Sequence, residues 1–192
     1  MSYKWLEWAK RIQSISQTGL TYVKDVYDRE RYEALRNLSA EILAEYSEED
    51  MEKVKSLFVN EKGYQTPKVD VRAVVFKGER ILLVREKTDN CWALPGGYCD
   101  IGLSPSENAV KEVKEESGYD VVPIRLLALL DSHKHPRPPQ PYQYYKVFIL
   151  CEIVGGEESV GVETKDVGFF SENHLPPLSK NRNVESQLKL LF

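Results

Sequence analysis

LPGGYCDIGLSPSENAVKEVKEESGY, residues Leu94 to Tyr119, decides how this chain is read. Ser104-Pro105-Ser106-Glu107 is a capping box with proline at the first helical position, and it predicts a helix over Ser104 to Ser117. Gly118 suits the left-handed cap that ends that helix. Within those limits Glu112 and Glu116 stand at i and i+4 with Glu115 between them, so the three carboxylates project from one side and repel. Two readings fit. The face is either a solvated acidic surface or an oxygen-only ligand set suited to Mg²⁺ or Mn²⁺. Gly96 and Gly97, just ahead of the helix, favour the second, because backbone without Cβ can approach a metal-bridged diphosphate closely.

Upstream of this stretch, VDVRAVVF and RILLVRE are β-branched runs joined by the turn KGER, which predicts a hairpin. CWALPGG reads as a third short strand, and IRLLALLDS and YYKVFILCEI as two more. A second helix is expected near Asn181 to Leu191. Strands mixed with two helices imply an α/β class, a sheet covered on its faces by helices. Before Gly63 and Pro67 the pattern has a helical period instead: Trp5, Trp8, Ile12 and Ile15; then Leu35, Leu38 and Ile42; then Met51, Val54, Leu57 and Phe58. Three helices fit, with Gly19 and the SEED run from Ser47 as breaks and Ser47 as a helix cap. The expected division is a helical domain over 1–64 and an α/β domain over 65–192. The aromatics Trp5, Trp8 and Tyr22 suit either a small helical core or a dimer surface.

The 192 residues carry a formal charge of −4, which gives no broad basic footprint for duplex DNA. The 3 cysteines, Cys91, Cys99 and Cys151, form no CxxC pair and leave one unpaired, which points to a reducing, cytoplasmic setting. The N-terminal MSYKWLEWAKRIQ lacks a signal-peptide core, and no later run is long enough to span a bilayer, so no membrane partner is expected.

The stretch from Gly97 to Tyr119 resembles the Nudix box, G-x5-E-x7-R-E-U-x-E-E-x-G-U with U a large apolar residue, and it aligns without gaps. Gly97, Glu112, Val113, Glu115, Glu116, Gly118 and Tyr119 carry the match, and WALPGG resembles the family's lead-in. Leu103 stands in place of the first glutamate and Lys111 in place of the arginine. The lysine keeps the charge but loses the planar fork, and Asp100 leaves an acid in the same loop.

The resemblance implies an α/β/α sandwich around a mixed sheet, preceded here by the helical domain. It implies metal-dependent hydrolysis of a nucleoside diphosphate linked to some other group, with Glu112, Glu115, Glu116 and the Gly96 carbonyl as ligands of Mg²⁺ or Mn²⁺ and Lys111 orienting the carboxylates. The N-terminal helices, this form of the box and the HKHPRPPQPY segment look like the bacterial Nudix group that includes CDP-choline pyrophosphatases and ADP-ribose pyrophosphatases. CDP-choline is then the first substrate expected and ADP-ribose the second, in a homodimer. A nucleotide sensor without turnover, suggested by Leu103 and Lys111, and an RNA exonuclease are the other classes.

Candidates for the general base are Glu115 and Glu163, the latter in GVETKDVGFF, where a loop swinging over the site competes with a plain surface acid ahead of a strand. Arg72 and Arg85, on the first two strands, are either phosphate ligands or strand-surface charges. In DSHKHPRPPQPYQYYK the prolines stiffen an extended loop. Its flanking His133, His135, Arg137, Tyr142 and Tyr144 suit phosphate contact or base stacking, or an ordinary long connection. No third ligand completes a zinc site on His133 and His135.

Overall fold

The two helices that open the chain are long and cross closely. A computed structural model describes residues 4–47, 63–135 and 142–192. Its contacts divide the chain into two units, Met1–Pro67 with Pro139–Tyr142, and Lys68–Pro138 with Gln143–Phe192. In the first unit α1 spans Lys4–Tyr22 and α2 spans Val26–Ser47. Asp25 starts α2 by accepting from the backbone N–H groups of Tyr27 and Asp28 at 2.9 and 3.1 Å.

Gly19 is not the helix break expected from its identity: α1 runs through it, and a Cβ there would lie 2.4 Å from the Tyr32 ring. Glycine is present because the helices touch at that point. Ser47 is the last residue of α2, and the third helix it was expected to cap, over Met51 to Phe58, lies outside the described residues.

Ala9, Ala40 and Leu43 form the buried core of this unit. Trp5 stacks on Tyr46 with ring centroids 5.3 Å apart. Trp8, Ile15, Tyr22, Tyr27 and Leu38 are exposed instead. The helical period was real, but small residues occupy the contact and large ones face outward.

The second unit is a six-stranded mixed sheet. β1 (Lys68–Lys77) and β2 (Arg80–Glu86) form the predicted hairpin, followed by β3 (Trp92–Ala93), α3 (Pro105–Ser117), β4 (Tyr119–Asp131), β5 (Tyr144–Gly156), β6 (Thr164–Ser171) and α4 (Glu185–Leu188). The order is β3-β2-β1-β5-β4 with β6 on β2; β1 and β5 are parallel and the other pairs antiparallel. β4 begins earlier than the expected strand, because Tyr119 to Val122 pair with Glu152 to Gly156. The expected C-terminal helix shrinks to α4, since the chain before it is tied elsewhere: Ser179 donates to the Trp92 carbonyl at 2.8 Å and Asn183 accepts from Leu94 N–H at 2.9 Å.

Helix α3 packs Ala109 and Val113 onto Val71, Ala73, Val75, Leu82 and Val84 on one face. Leu188 of α4 packs with Val74, Ile81, Leu83 and Phe148 on the other. Each strand supplies alternate residues to the two layers. β1 and β2 pair only at Phe76↔Ile81 and Lys77↔Arg80, then diverge. The backbone of β1 past that point is satisfied by the glycine loop: Ala73 N–H donates to Pro95 O at 2.9 Å, Val71 N–H to Gly97 O at 2.9 Å, and Cys99 N–H returns to Val69 O at 3.2 Å.

Candidate active site

The glycine loop and the acidic helix meet over the gap between β1 and β2. Gly96 has φ +143°, and a Cβ on it would fall 2.1 Å from the Val71 carbonyl oxygen. A Cβ on Gly97 would lie 2.9 Å from Glu112 Oε1. The first glycine is therefore required by the backbone of strand β1, whereas the second borders the end of a carboxylate side chain. The capping box predicted for α3 is formed in both directions, and Gly118 takes the left-handed conformation at φ +79°. That fixes the helix register and turns Glu112 and Glu116 toward the loop.

Glu116 is 7% exposed, and its Oε2 accepts from Gly96 N–H at 2.9 Å. Burial pushes its carboxyl up to about 8, against the pull of that hydrogen bond and of Arg72; Glu112 and Glu86 push the same way as burial. Burial likewise raises Glu112, opposed by Lys111 and Arg72 and helped by Glu115 and Glu163. Lys111 donates to Asp100 at 3.0 Å and lies 3.3 Å from Glu115. Asp100 thus gives the lysine an acidic partner in the loop where Leu103 has none.

Among the described residues no three His, Cys, Asp or Glu side chains already stand in a metal-ligating group, since Glu116 is turned onto Gly96 and Glu115 onto Lys111. The donor set nonetheless fits a hard divalent cation: carboxylate oxygens only, two of them poorly solvated, beside a glycine that leaves them room.

Glu163 is exposed, and the segment before it is tied down rather than free to swing. Ser159 N–H donates to Ser117 O at 3.0 Å, Thr164 Oγ1 to Glu116 O at 2.9 Å, and Lys87 N–H to Glu163 O at 2.9 Å. Glu163 stands within electrostatic reach of Glu112 and Glu86. Arg72 faces inward, but its Nε and Nη2 are held by Asp70 at 2.8 and 3.0 Å and its Nη1 donates to Leu94 O at 3.0 Å. It is a buried tie between β1 and the glycine loop instead of an open phosphate ligand. Arg85 bonds the Asn90 carbonyl at 3.3 Å and lies on the opposite pleat of β2 from Glu86.

His133 is an exposed turn residue whose N–H donates to Asp131 at 2.9 Å, and His135 ends that turn. Arg137 and the prolines lie outside the described residues. Tyr142 packs with the helical unit, and Tyr144 is buried at the start of β5.

Several residues escaped the sequence reading. Glu86 is 2% exposed and paired with Arg182 at 2.7 Å, at the end of β2 nearest the acids. Its signal was legible, since alternation in RILLVRE puts it on the pleat of Leu82 and Val84. Asp70 and Lys146, 3.2 Å apart and both buried, come from strands adjacent only in the fold, and no local pattern marks them. Tyr98 was likewise unmarked.

This arrangement of glycine loop, capped acidic helix and mixed sheet is that of the Nudix hydrolases. A NUDIX domain model matches residues 66–191, and a model described as a UDP-X-like N-terminal oligomerisation domain matches residues 3–58. The chain belongs to the Nudix family and is a Nudix pyrophosphohydrolase with an α/β/α catalytic domain behind a helical one.

The chain is 62% identical over 189 residues to a Bacillus subtilis (strain 168) protein called "Putative ADP-ribose pyrophosphatase YjhB", covering 98% of this chain and 91% of that one. A crystal structure of UDP-X diphosphatase superposes with TM-score 0.64 at 39% identity, over 98% of this chain and 92% of that one. An ADP-ribose pyrophosphatase from Streptococcus suis 89-1591 gives TM-score 0.59 at 50% identity, over 65% and 89%.

Proposed function

We propose that the chain cleaves the diphosphate bond of a nucleoside diphosphate linked to a second moiety, with Glu112, Glu115, Glu116 and the Gly96 carbonyl holding Mg²⁺ or Mn²⁺. The observation that carries this reading is the pair of desolvated carboxylates, Glu112 and Glu116, set against Gly96 and Gly97. Such a pair is costly to a fold unless a cation neutralises it. A cation held by these residues would supply neutralisation of diphosphate charge and activation of the attacking water.

The chain's own groups do the positioning. Lys111, itself bonded to Asp100, holds Glu115, and Arg72 holds the loop that presents Gly96. Glu163 is our choice for the general base, because Glu115 is assigned to the metal while Glu163 is exposed at the edge of the acids. ADP-ribose moves ahead of CDP-choline as substrate, on the names of the Bacillus and Streptococcus relatives; the UDP-X relative argues for tolerance of the base. The exposed apolar side chains of α1 and α2, with the oligomerisation model matched there, support a homodimer.

The test is product analysis with ADP-ribose, CDP-choline, a UDP-sugar and a nucleoside triphosphate, each with Mg²⁺, Mn²⁺ and EDTA. Metal-dependent release of AMP and ribose 5-phosphate is expected, reduced at least about 100-fold in Glu112→Gln. Nucleotide binding without cleavage under either metal would instead establish the sensor reading that Leu103 suggests.

A further inference from the structure

Tyr98 follows Gly97 directly, so its α-carbon lies about 4 Å along the chain from the glycine that abuts the Glu112 carboxylate. Its backbone is pinned to β1 through the Asp70↔Tyr98 bridge and the neighbouring Cys99 N–H to Val69 O bond. Its ring stacks on Tyr144 with centroids 5.7 Å apart and planes 20° from parallel, and the two hydroxyls are 3.2 Å apart. Tyr144 is 7% exposed, whereas Tyr98 is 59% exposed.

One ring of this pair is therefore buried in the sheet, and the other is backed by it and open to solvent. An aromatic side chain immobilised this way has already lost the rotamer freedom that a ligand would otherwise have to remove. A flat aromatic face backed in this way suits another flat π-system.

We propose that Tyr98, backed by Tyr144, is the stacking platform for the nucleoside base, a residue that contributes affinity at this site. The inference rests on the function proposed above. Gly97, which abuts Glu112, and Tyr98 are consecutive residues of the same loop, so the proposed diphosphate site and the ring border one segment. Stacking is indifferent to which base is presented, because every base has a π-face. The platform therefore gives affinity for nucleosides without choosing among them.

The experiment uses the full chain without metal, with adenosine, cytidine and ribose as probes in saturation-transfer NMR. Transfer to the base protons of both nucleosides is expected, with none to ribose. Tyr98→Phe retains it and Tyr98→Leu loses it, while the melting temperatures of the variants show that both fold. With ADP-ribose and Mg²⁺, Tyr98→Leu raises KM about tenfold with kcat within about twofold of the parent. Absence of base transfer in the parent protein, or equal transfer in Tyr98→Leu, overturns the platform. The NMR arm involves no turnover, so a chain that stacks nucleosides but cleaves nothing would disprove the hydrolase reading and leave the platform standing.

Discussion

Glu116 concentrates the electrostatic tension of the molecule in one side chain. Its carboxyl is raised from the ordinary value of 4.5 to about 8 because it is desolvated. Between those two pH values the metal-free folded chain binds a proton that the unfolded chain has released, so stability falls as pH rises from 4.5 to 8. Thermal melts in EDTA should show that fall. Added Mg²⁺ or Mn²⁺ should stabilise progressively more across the same window, and a melting profile flat with pH in EDTA would remove Glu116 as a strained acid. Arg72 acts in the opposite sense, as the buried cation nearest these acids. Replacing it with leucine strands Asp70 with Lys146 alone and should cost about 3–5 kcal/mol, read from urea unfolding.

At the scale of elements, the glycine loop serves as both a partner for β1 and a wall of the site, and its two glycines separate those duties. Gly96→Ala drives a methyl group into the Val71 carbonyl at a positive φ, so it should destabilise by more than about 1 kcal/mol and lower turnover with it. Gly97→Ala meets only the end of the Glu112 side chain, which can rotate away. It should melt near the parent temperature yet need a higher metal concentration for half-maximal activity. Equal behaviour of the two variants would mean that the loop does not divide its roles this way. The C-terminal segment shows the same economy: residues 179–183 bond to β3 and to Glu86, which leaves only Glu185–Leu188 free to be helical.

At the scale of the whole molecule, the helical unit and the sheet unit each have a core of their own. Among the described residues no helix is long and apolar enough to cross a membrane. The outward aromatics of α1 and α2 lie in the segment matched by the oligomerisation-domain model. On the homodimer proposed above, Trp8→Glu combined with Leu38→Glu should give a monomer in light scattering without unfolding either unit, since both residues are exposed. A mass unchanged by this double substitution would place the interface elsewhere.

The sequence by itself determined what is local in this protein. A capping box, a C-terminal glycine and i, i+4 spacing are written within one helix, so α3 and its three glutamates were legible to the residue, as was the β1–β2 hairpin. Only the tertiary structure decided what depends on strands distant in the chain. Parallel pairing of β1 with β5 brings Lys146 to Asp70, and the divergence of β1 from β2 makes room for the glycine loop. Burial under that loop makes Arg72 a tie, where the sequence left open a phosphate ligand or a strand-surface charge. Helical period told where α1 and α2 lie but not which face is covered, because two helices with small residues at the crossing can pack on those and leave their aromatics for a partner.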